Sequence, residues 1–311
     1  MVAEHSLGAG TMNKIPVGET ISEAYSFGFK RFLSVLGVSW FPYVVASAQC
    51  GGLAYLAAPE LLRQLSHGKF DQNLLMANLP HLVGLGLLVW IVFFIAICMV
   101  RVGLLRLALG RHPGPVFIFF SLGSEVWMMA GALFLAALVS ILVVILTIAA
   151  VAAVSFASTL IHEAVAAKAV VAIAVIAGVL WFVYFYVRLM FFLPAVVVAE
   201  KEVGLGRAWT LGGGNFWRIV IVAIVVVVPV LIGFSMVEQA ITGPFMFEMT
   251  VFQHPDRLTP DLLAKAIAHD LALAGPLVLI LAFVRTILFE GLNAGMVGSA
   301  YRGVTGSAPA Q

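Results

Sequence analysis

The stretch VWMMAGALFLAALVSILVVILTIAAVAAVSFA, residues 126–157, contains no charged side chain. About 20 mostly apolar residues are enough for a helix to cross a bilayer. Such a stretch predicts a membrane-spanning helix, because a helix satisfies every backbone hydrogen bond within its own segment. Similar runs on both sides predict six spans in all, at about residues 34–58, 82–100, 126–157, 170–187, 219–237 and 271–293.

The composition also predicts a polytopic membrane protein. Hydrophobic residues make up 62% of the 311 residues and charged residues only 10%, whereas about 25% charged residues is usual in soluble domains. The net charge of +2 argues against a nucleic-acid partner, because such partners require a strongly basic surface. We predict an all-α fold with one six-helix membrane domain at residues 16–302, between flexible termini at 1–15 and 303–311.

The positions of lysine and arginine predict the orientation, since cytoplasmic loops carry an excess of both. The side that holds both termini has eleven: Lys14, Lys30, Arg31, Arg101, Arg106, Arg111, Arg188, Lys201, Arg207, Arg218 and Arg302. The opposite side has five: Arg63, Lys69, Lys168, Arg257 and Lys265. We therefore expect both termini in the cytoplasm. The first span should act as the insertion signal, because no cleavable signal peptide precedes it.

A weak threefold repeat runs through the chain. Trp40, Trp127 and Trp217 each stand at the start of an odd-numbered span, 87 and 90 residues apart. A Val-Arg pair stands near the end of each even-numbered span, and its arginines are Arg101, Arg188 and Arg285. These spacings predict three parallel hairpins at about residues 17–110, 113–200 and 203–302. The alternative is coincidence, because tryptophan and arginine are both enriched at membrane interfaces.

A short interfacial helix is expected before each hairpin. Ile21, Tyr25, Phe29 and Phe32 recur at helical spacing, so the segment before the first span predicts an amphipathic helix in the headgroup plane. The three glycines at 212–214 predict a break before the fifth span. They do not form a phosphate-binding loop, because no lysine and hydroxyl pair follows them.

Arg285 is the most unusual charge, because it falls inside the sixth predicted span. Its side chain could snorkel to the interface, or it could pair inside the bundle with Glu290 or Glu238. The arginines and tryptophans of the repeat are candidate lipid-headgroup or structural anchors. Gly291, Gly295 and Ser299 stand four apart and predict a face for close helix packing.

No catalytic or cofactor-binding pattern is present in the sequence. The seven histidines, at positions 5, 67, 81, 112, 162, 254 and 269, include no pair with the spacing of a helical metal site. Cys50 and Cys98 both lie in apolar runs and are interpreted as small buried residues without a disulfide. We expect no cofactor, no metal and no enzymatic activity.

The segment VRLMFFLPAVVVAEKEVGLGRAWTLGGGNFWRIVIV, residues 187–222, carries a resemblance to a known family. Its matching elements are an arginine closing a span, a Leu-Pro step, an acidic residue before a glycine turn, an Ala-Trp segment, and Asn-Phe-Trp-Arg opening the next span. Together with IPVGETISEAYSFGFKRF, residues 15–32, it resembles the bacterial glycerophosphoryl diester phosphodiesterase membrane-domain-like family. The resemblance implies a multi-pass protein of a bacterial inner membrane. It implies no phosphodiesterase activity, because the soluble catalytic domain and its metal cluster are missing. Proteins of this family often have a serine-containing segment before the tryptophan, whereas this chain has Leu-Gly-Gly-Gly at Leu211–Gly214.

Two functions agree with these observations. The first is a non-enzymatic membrane protein that interacts with membrane lipids or docks a membrane or cytoplasmic protein partner. The second is a transporter or channel for a small solute or anion. The first is favoured, because the third and fifth spans carry few polar side chains that could line a path.

Overall fold

The computed structural model of the chain describes residues 13–57, 63, 72–111, 117–158, 164–242 and 275–306, and these residues contain helices and no strand. Six helices are long and apolar enough to cross a membrane, which confirms an all-α polytopic fold. The helices are α1 Val17–Tyr25, α2 Phe32–Ala57, α3 Gln72–Ala108, α4 Ser124–Ser158, α5 Ala164–Met190, α6 Leu193–Glu200, α7 Leu205–Gly212, α8 Phe216–Thr242 and α9 Gly275–Thr305.

The spans pack as neighbouring pairs. Helix α2 lies along α3, α4 along α5, and α8 along α9. Helix α9 also contacts α1, α2, α3 and α6, so it is a central element of the bundle. Its small residues allow this, because a Cβ atom at Gly291 would lie 2.9 Å from Val35, and one at Gly295 would lie 2.8 Å from Phe27. The close packing predicted for this face is therefore present at both glycines.

Buried residues concentrate at one end of the bundle. The centre of that end is α6, where every residue from Leu193 to Val198 is buried. An eight-residue helix that is apolar all round must be surrounded by protein or lipid. Pro194 lies in its first turn, where the missing N–H costs no hydrogen bond. The sequence prediction ended the fourth span at residue 187 and did not include this helix.

The opposite halves of the spans expose large apolar side chains. Several are more than 60% exposed: Val83, Ile148, Leu180, Met236 and Ile280. Such a surface is far larger than a soluble monomer carries, and it fits contact with lipid hydrocarbon. The spans therefore pack tightly at one end and present apolar side chains along the rest of their length.

The segment before the first span combines α1 with a π-helical turn at Ser26–Lys30. The turn adds a residue to the helical repeat, and it places Phe27 and Gly28 in the core while Phe29 is 54% exposed. The predicted apolar face is therefore correct at Ile21, Tyr25 and Phe32, which pack against a cluster formed largely by α8 and α9, and it is wrong at Phe29. A Cβ atom at Gly28 would lie 2.7 Å from Leu292.

The three predicted hairpins do not begin alike. Helix α1 precedes the first and α7 precedes the third, whereas the described residues 117–123 before the second are irregular. The predicted interfacial helix is thus absent from 117–123.

The segment before α1 is anchored to the start of α8. Ile15 is fully buried, and its N–H donates to Asn215 Oδ1 over 3.1 Å.

Candidate functional site: the charged base

We call the tightly packed end of the bundle the charged base; it contains α1, α6, α7 and the C-terminal ends of α3 and α9. Arginines cap the helix ends here. Arg111 donates to the carbonyls of Val198 and Ala199, both over 2.9 Å, at the end of α6. Arg302 donates to the carbonyl of Ala108 at the end of α3. Cations at these positions satisfy carbonyls that a helix leaves unpaired and oppose the helix dipole.

Arg188 is held entirely by its protein neighbours. Its Nε donates to the Trp209 carbonyl over 3.0 Å and its Nη1 to the Tyr184 hydroxyl over 2.6 Å. Its Cζ lies 4.1 Å from the Trp209 ring centroid, at cation–π distance. Gly212 and Gly213 make room, since a Cβ atom at either would lie within 3.0 Å of Arg188. The predicted break at the glycines is observed, and it packs α7 against α5.

Arg101 lies against Glu290 and links α3 to α9. Arg101 Nε is 3.5 Å from Glu290 Oε2, and the two side chains are 31% and 15% exposed. Asn293 and Pro194 line a cavity of only about 10 Å³ beside the pair. Both charges are therefore largely enclosed, and each is the other's main compensation.

Arg285 lies beside Glu238, one of the two carboxylates that the sequence offered as its partner. Arg285 Nη1 donates to Glu238 Oε2 over 3.0 Å, and this pair links α9 to α8. The side chains are 38% and 40% exposed. Glu290, the other candidate, faces Arg101 instead, because it lies five residues beyond Arg285 and on another side of α9.

The three tryptophans have different surroundings. Trp40 Nε1 donates to the Phe117 carbonyl over 2.8 Å, so it ties α2 to the segment before α4. Trp127 and Trp217 are 55% and 72% exposed. Their exposed rings suit a membrane interface, whereas Trp40 is a structural contact.

Two glutamates, Glu125 at the start of α4 and Glu200 at the end of α6, also accept hydrogen bonds from side chains of the protein. Glu125 accepts from Arg106 Nε over 2.8 Å. Glu200 accepts from Arg207 Nε over 3.1 Å and from the Tyr301 hydroxyl over 2.8 Å. Most of the arginines that set the predicted orientation are thus committed to contacts within the protein.

Three of the exposed basic residues near the base, Lys14, Lys30 and Arg31, form no ion pair within the described part of the chain. Phe29 and Leu33, on either side of Lys30 and Arg31, are 54% and 80% exposed. Exposed cations beside exposed apolar side chains are typical of a segment at the membrane surface.

Arg31 opens onto a polar cavity of about 340 Å³ between α1, the end of α3 and α9. We call it the base cavity; Glu23, Ser26 and Arg302 also line it. Arg302 contacts the Glu23 carboxylate with Nη2, and their side chains are 18% and 52% exposed. No sequence pattern indicated that these residues share a site. Ser26 and Arg31 stand five apart, and only the π-helical turn brings such positions to one face.

No group of three or more His, Cys, Asp or Glu side chains that could hold a metal lies within the described ranges. His81 is among the described residues, and the other six histidines lie outside them. Cys50 and Cys98 are free thiols. The chain matches no protein-family model, no curated protein and no solved structure.

Proposed function

We propose that this chain is a non-enzymatic integral membrane protein whose charged base binds phospholipid headgroups. The observation that carries the proposal is the base cavity, where Arg31 lies exposed beside Arg302 and has no ion pair among the described residues. Arginine is well suited to phosphate, because its planar fork donates two parallel hydrogen bonds. The Ser26 hydroxyl adds a further donor on the same wall.

The size and surroundings of the cavity support a lipid ligand. Its volume of about 340 Å³ lies within the roughly 300–1,000 Å³ of small-molecule sites. Phe29 and Leu33 extend the same segment with exposed apolar side chains. A phosphate could therefore sit in the cavity while the acyl chains stay in the bilayer.

The proposal also includes the membrane leaflet in which the charged base lies. The excess of lysine and arginine on this side of the chain supports the cytoplasmic leaflet of an inner membrane. The resemblance to the glycerophosphoryl diester phosphodiesterase membrane-domain-like family supports a bacterial membrane. Arg101, Arg188 and Arg285 were predicted as headgroup or structural anchors, and the proposal assigns them the structural role, since all three have protein partners.

Replacing Arg31 by glutamine should reduce bound phospholipid about tenfold, because a hydrogen bond to a charged group contributes about 1.5–3 kcal/mol and 1.4 kcal/mol is tenfold. Native mass spectrometry of protein extracted gently from its own membrane measures the bound lipid. Lys168→Gln is the control, since it removes one exposed cation from α5, far from the base cavity. Equal lipid retention in wild type and Arg31→Gln contradicts the proposal. A co-extracted protein in place of lipid would favour a docking role.

Transport of a small solute or anion is the second candidate. The Arg101–Glu290 pair favours it, because ionisable residues inside a membrane bundle often mark an ion or proton path. The cavity at this pair is only about 10 Å³, so the base cavity is the better ligand site. Flux of ions or small anions into reconstituted vesicles, lost in Glu290→Gln, would establish transport in place of lipid binding.

A further inference from the structure

We propose that the base cavity selects phospholipids whose headgroup carries a primary ammonium beside the phosphate. The inference rests on the proposed headgroup binding and names the class of ligand. Its basis is a single cavity that holds one carboxylate and one guanidinium for which the described part of the chain offers no ion pair. Glu23 and Arg31 both line this cavity, so it offers an acceptor for a cation and a donor for an anion.

The carboxylate is unfavourable for a purely anionic headgroup. Glu23 is about half exposed and its pair with Arg302 engages only Oε2, so a phosphate bound to Arg31 would still meet a carboxylate in the same cavity. Two like charges a few ångströms apart repel each other. A headgroup that brings its own ammonium converts this repulsion into an attraction.

Glu23 keeps acceptor capacity after its contact with Arg302. That contact engages Oε2, and a carboxylate offers about four acceptor positions on two oxygens. Arg302 also donates to the carbonyl of Ala108, so it is anchored to the end of α3 and holds Glu23 in position. Arg302 is thus a positioning residue, while Glu23 and Arg31 are free to contact a ligand.

The remaining acceptor positions of the Glu23 carboxylate need a hydrogen-bond donor. This requirement distinguishes between two zwitterionic headgroups. The ammonium of ethanolamine has N–H groups that can donate to a carboxylate. The trimethylammonium of choline has none. We therefore expect phosphatidylethanolamine to bind better than phosphatidylcholine, although both carry the same net charge. The exposed Phe29 and Leu33 favour the lipid over free phosphoethanolamine as the ligand.

The test uses the full chain in nanodiscs containing equal amounts of phosphatidylethanolamine, phosphatidylcholine and phosphatidylglycerol. Native mass spectrometry counts each retained lipid. Wild type should retain phosphatidylethanolamine in excess. Glu23→Gln should lower the ratio of phosphatidylethanolamine to phosphatidylglycerol about five- to tenfold, since it removes the acceptor and the repulsion together. Glu19→Gln is the matched control, because it is exposed on the same helix and does not line the cavity.

Two further variants keep the outcomes distinct. Glu23→Asp retains the charge and should retain the preference, which separates selectivity from any loss of folding. Arg31→Gln should lower retention of all three lipids. Retention of phosphatidylglycerol in excess by wild type, unchanged in Glu23→Gln, overturns the selectivity alone. No retained lipid in any protein overturns the proposed function as well. Displacement of lipid by free phosphoethanolamine would indicate a soluble ligand and overturn the lipid part of the inference.

Discussion

Replacing Gly212 by alanine should lower the free energy of unfolding by about 2–3 kcal/mol, the upper range for an added methyl group in a packed core. The new Cβ atom would lie 2.6 Å from the Arg188 carbonyl oxygen and 2.8 Å from Arg188 Cγ. The carbonyl oxygen belongs to the backbone of α5 and cannot move aside alone, so α7 has to move away from α5. That movement would also break the hydrogen bond from Arg188 to Trp209.

Thermal unfolding in detergent, followed by circular dichroism, measures the effect as a fall in Tm of several degrees. Gly206→Ala is the matched control in the same helix, because a Cβ atom there meets nothing within 4 Å. Alanine favours a helix over glycine by about 0.8–1 kcal/mol, so the control should be neutral or slightly stabilising. Equal Tm values for the two variants would show that the approach of α7 to α5 is not tight.

Removing the carboxylate of Glu290 should cost roughly 2–4 kcal/mol, because it leaves Arg101 uncompensated between α3 and α9. The value lies below that of a fully buried pair, since the Arg101 side chain is 31% exposed. The variant Glu290→Ala should unfold at a lower temperature in the same assay. Gly206→Ala is again the control, because a Cβ atom there meets nothing within 4 Å.

A double-mutant cycle tests whether the two charges act as a pair. Arg101→Met and Glu290→Leu should each destabilise the protein, and the double variant should recover most of the loss, because apolar side chains can replace a buried ion pair. If the two losses simply add, Arg101 and Glu290 are not coupled, and the destabilisation has another origin.

The spans could be predicted because each lies in an apolar run long enough for a bilayer. Their ends could not, since charge-free runs stop at the first arginine. Helix α3 continues past Arg101 and Arg106 to Ala108, and α9, whose predicted span ended at residue 293, continues past Arg302 to Thr305. A helix can continue past an arginine when a carboxylate or a backbone carbonyl on a neighbouring element accepts a hydrogen bond from it or pairs with its charge.

The candidate site was predicted only in part. The pattern of spans indicated Arg101, Arg188 and Arg285, and the structure describes all three with protein partners. The base cavity was missed, because Arg302 and Arg31 are 271 positions apart in the chain. Periodicity relates neighbours on one helix and carries no information on which helices meet.

The sequence by itself determined that the chain is an all-helical membrane protein with six spans, because apolar length and the need to satisfy the backbone depend on each segment alone. Tertiary structure decided which charges neutralise one another and which remain available. Glu290 compensates Arg101 and Glu238 compensates Arg285, whereas Arg31 opens onto a cavity. The physical reason is that a charge is stabilised by whatever lies within a few ångströms of it, and packing between distant segments sets those distances.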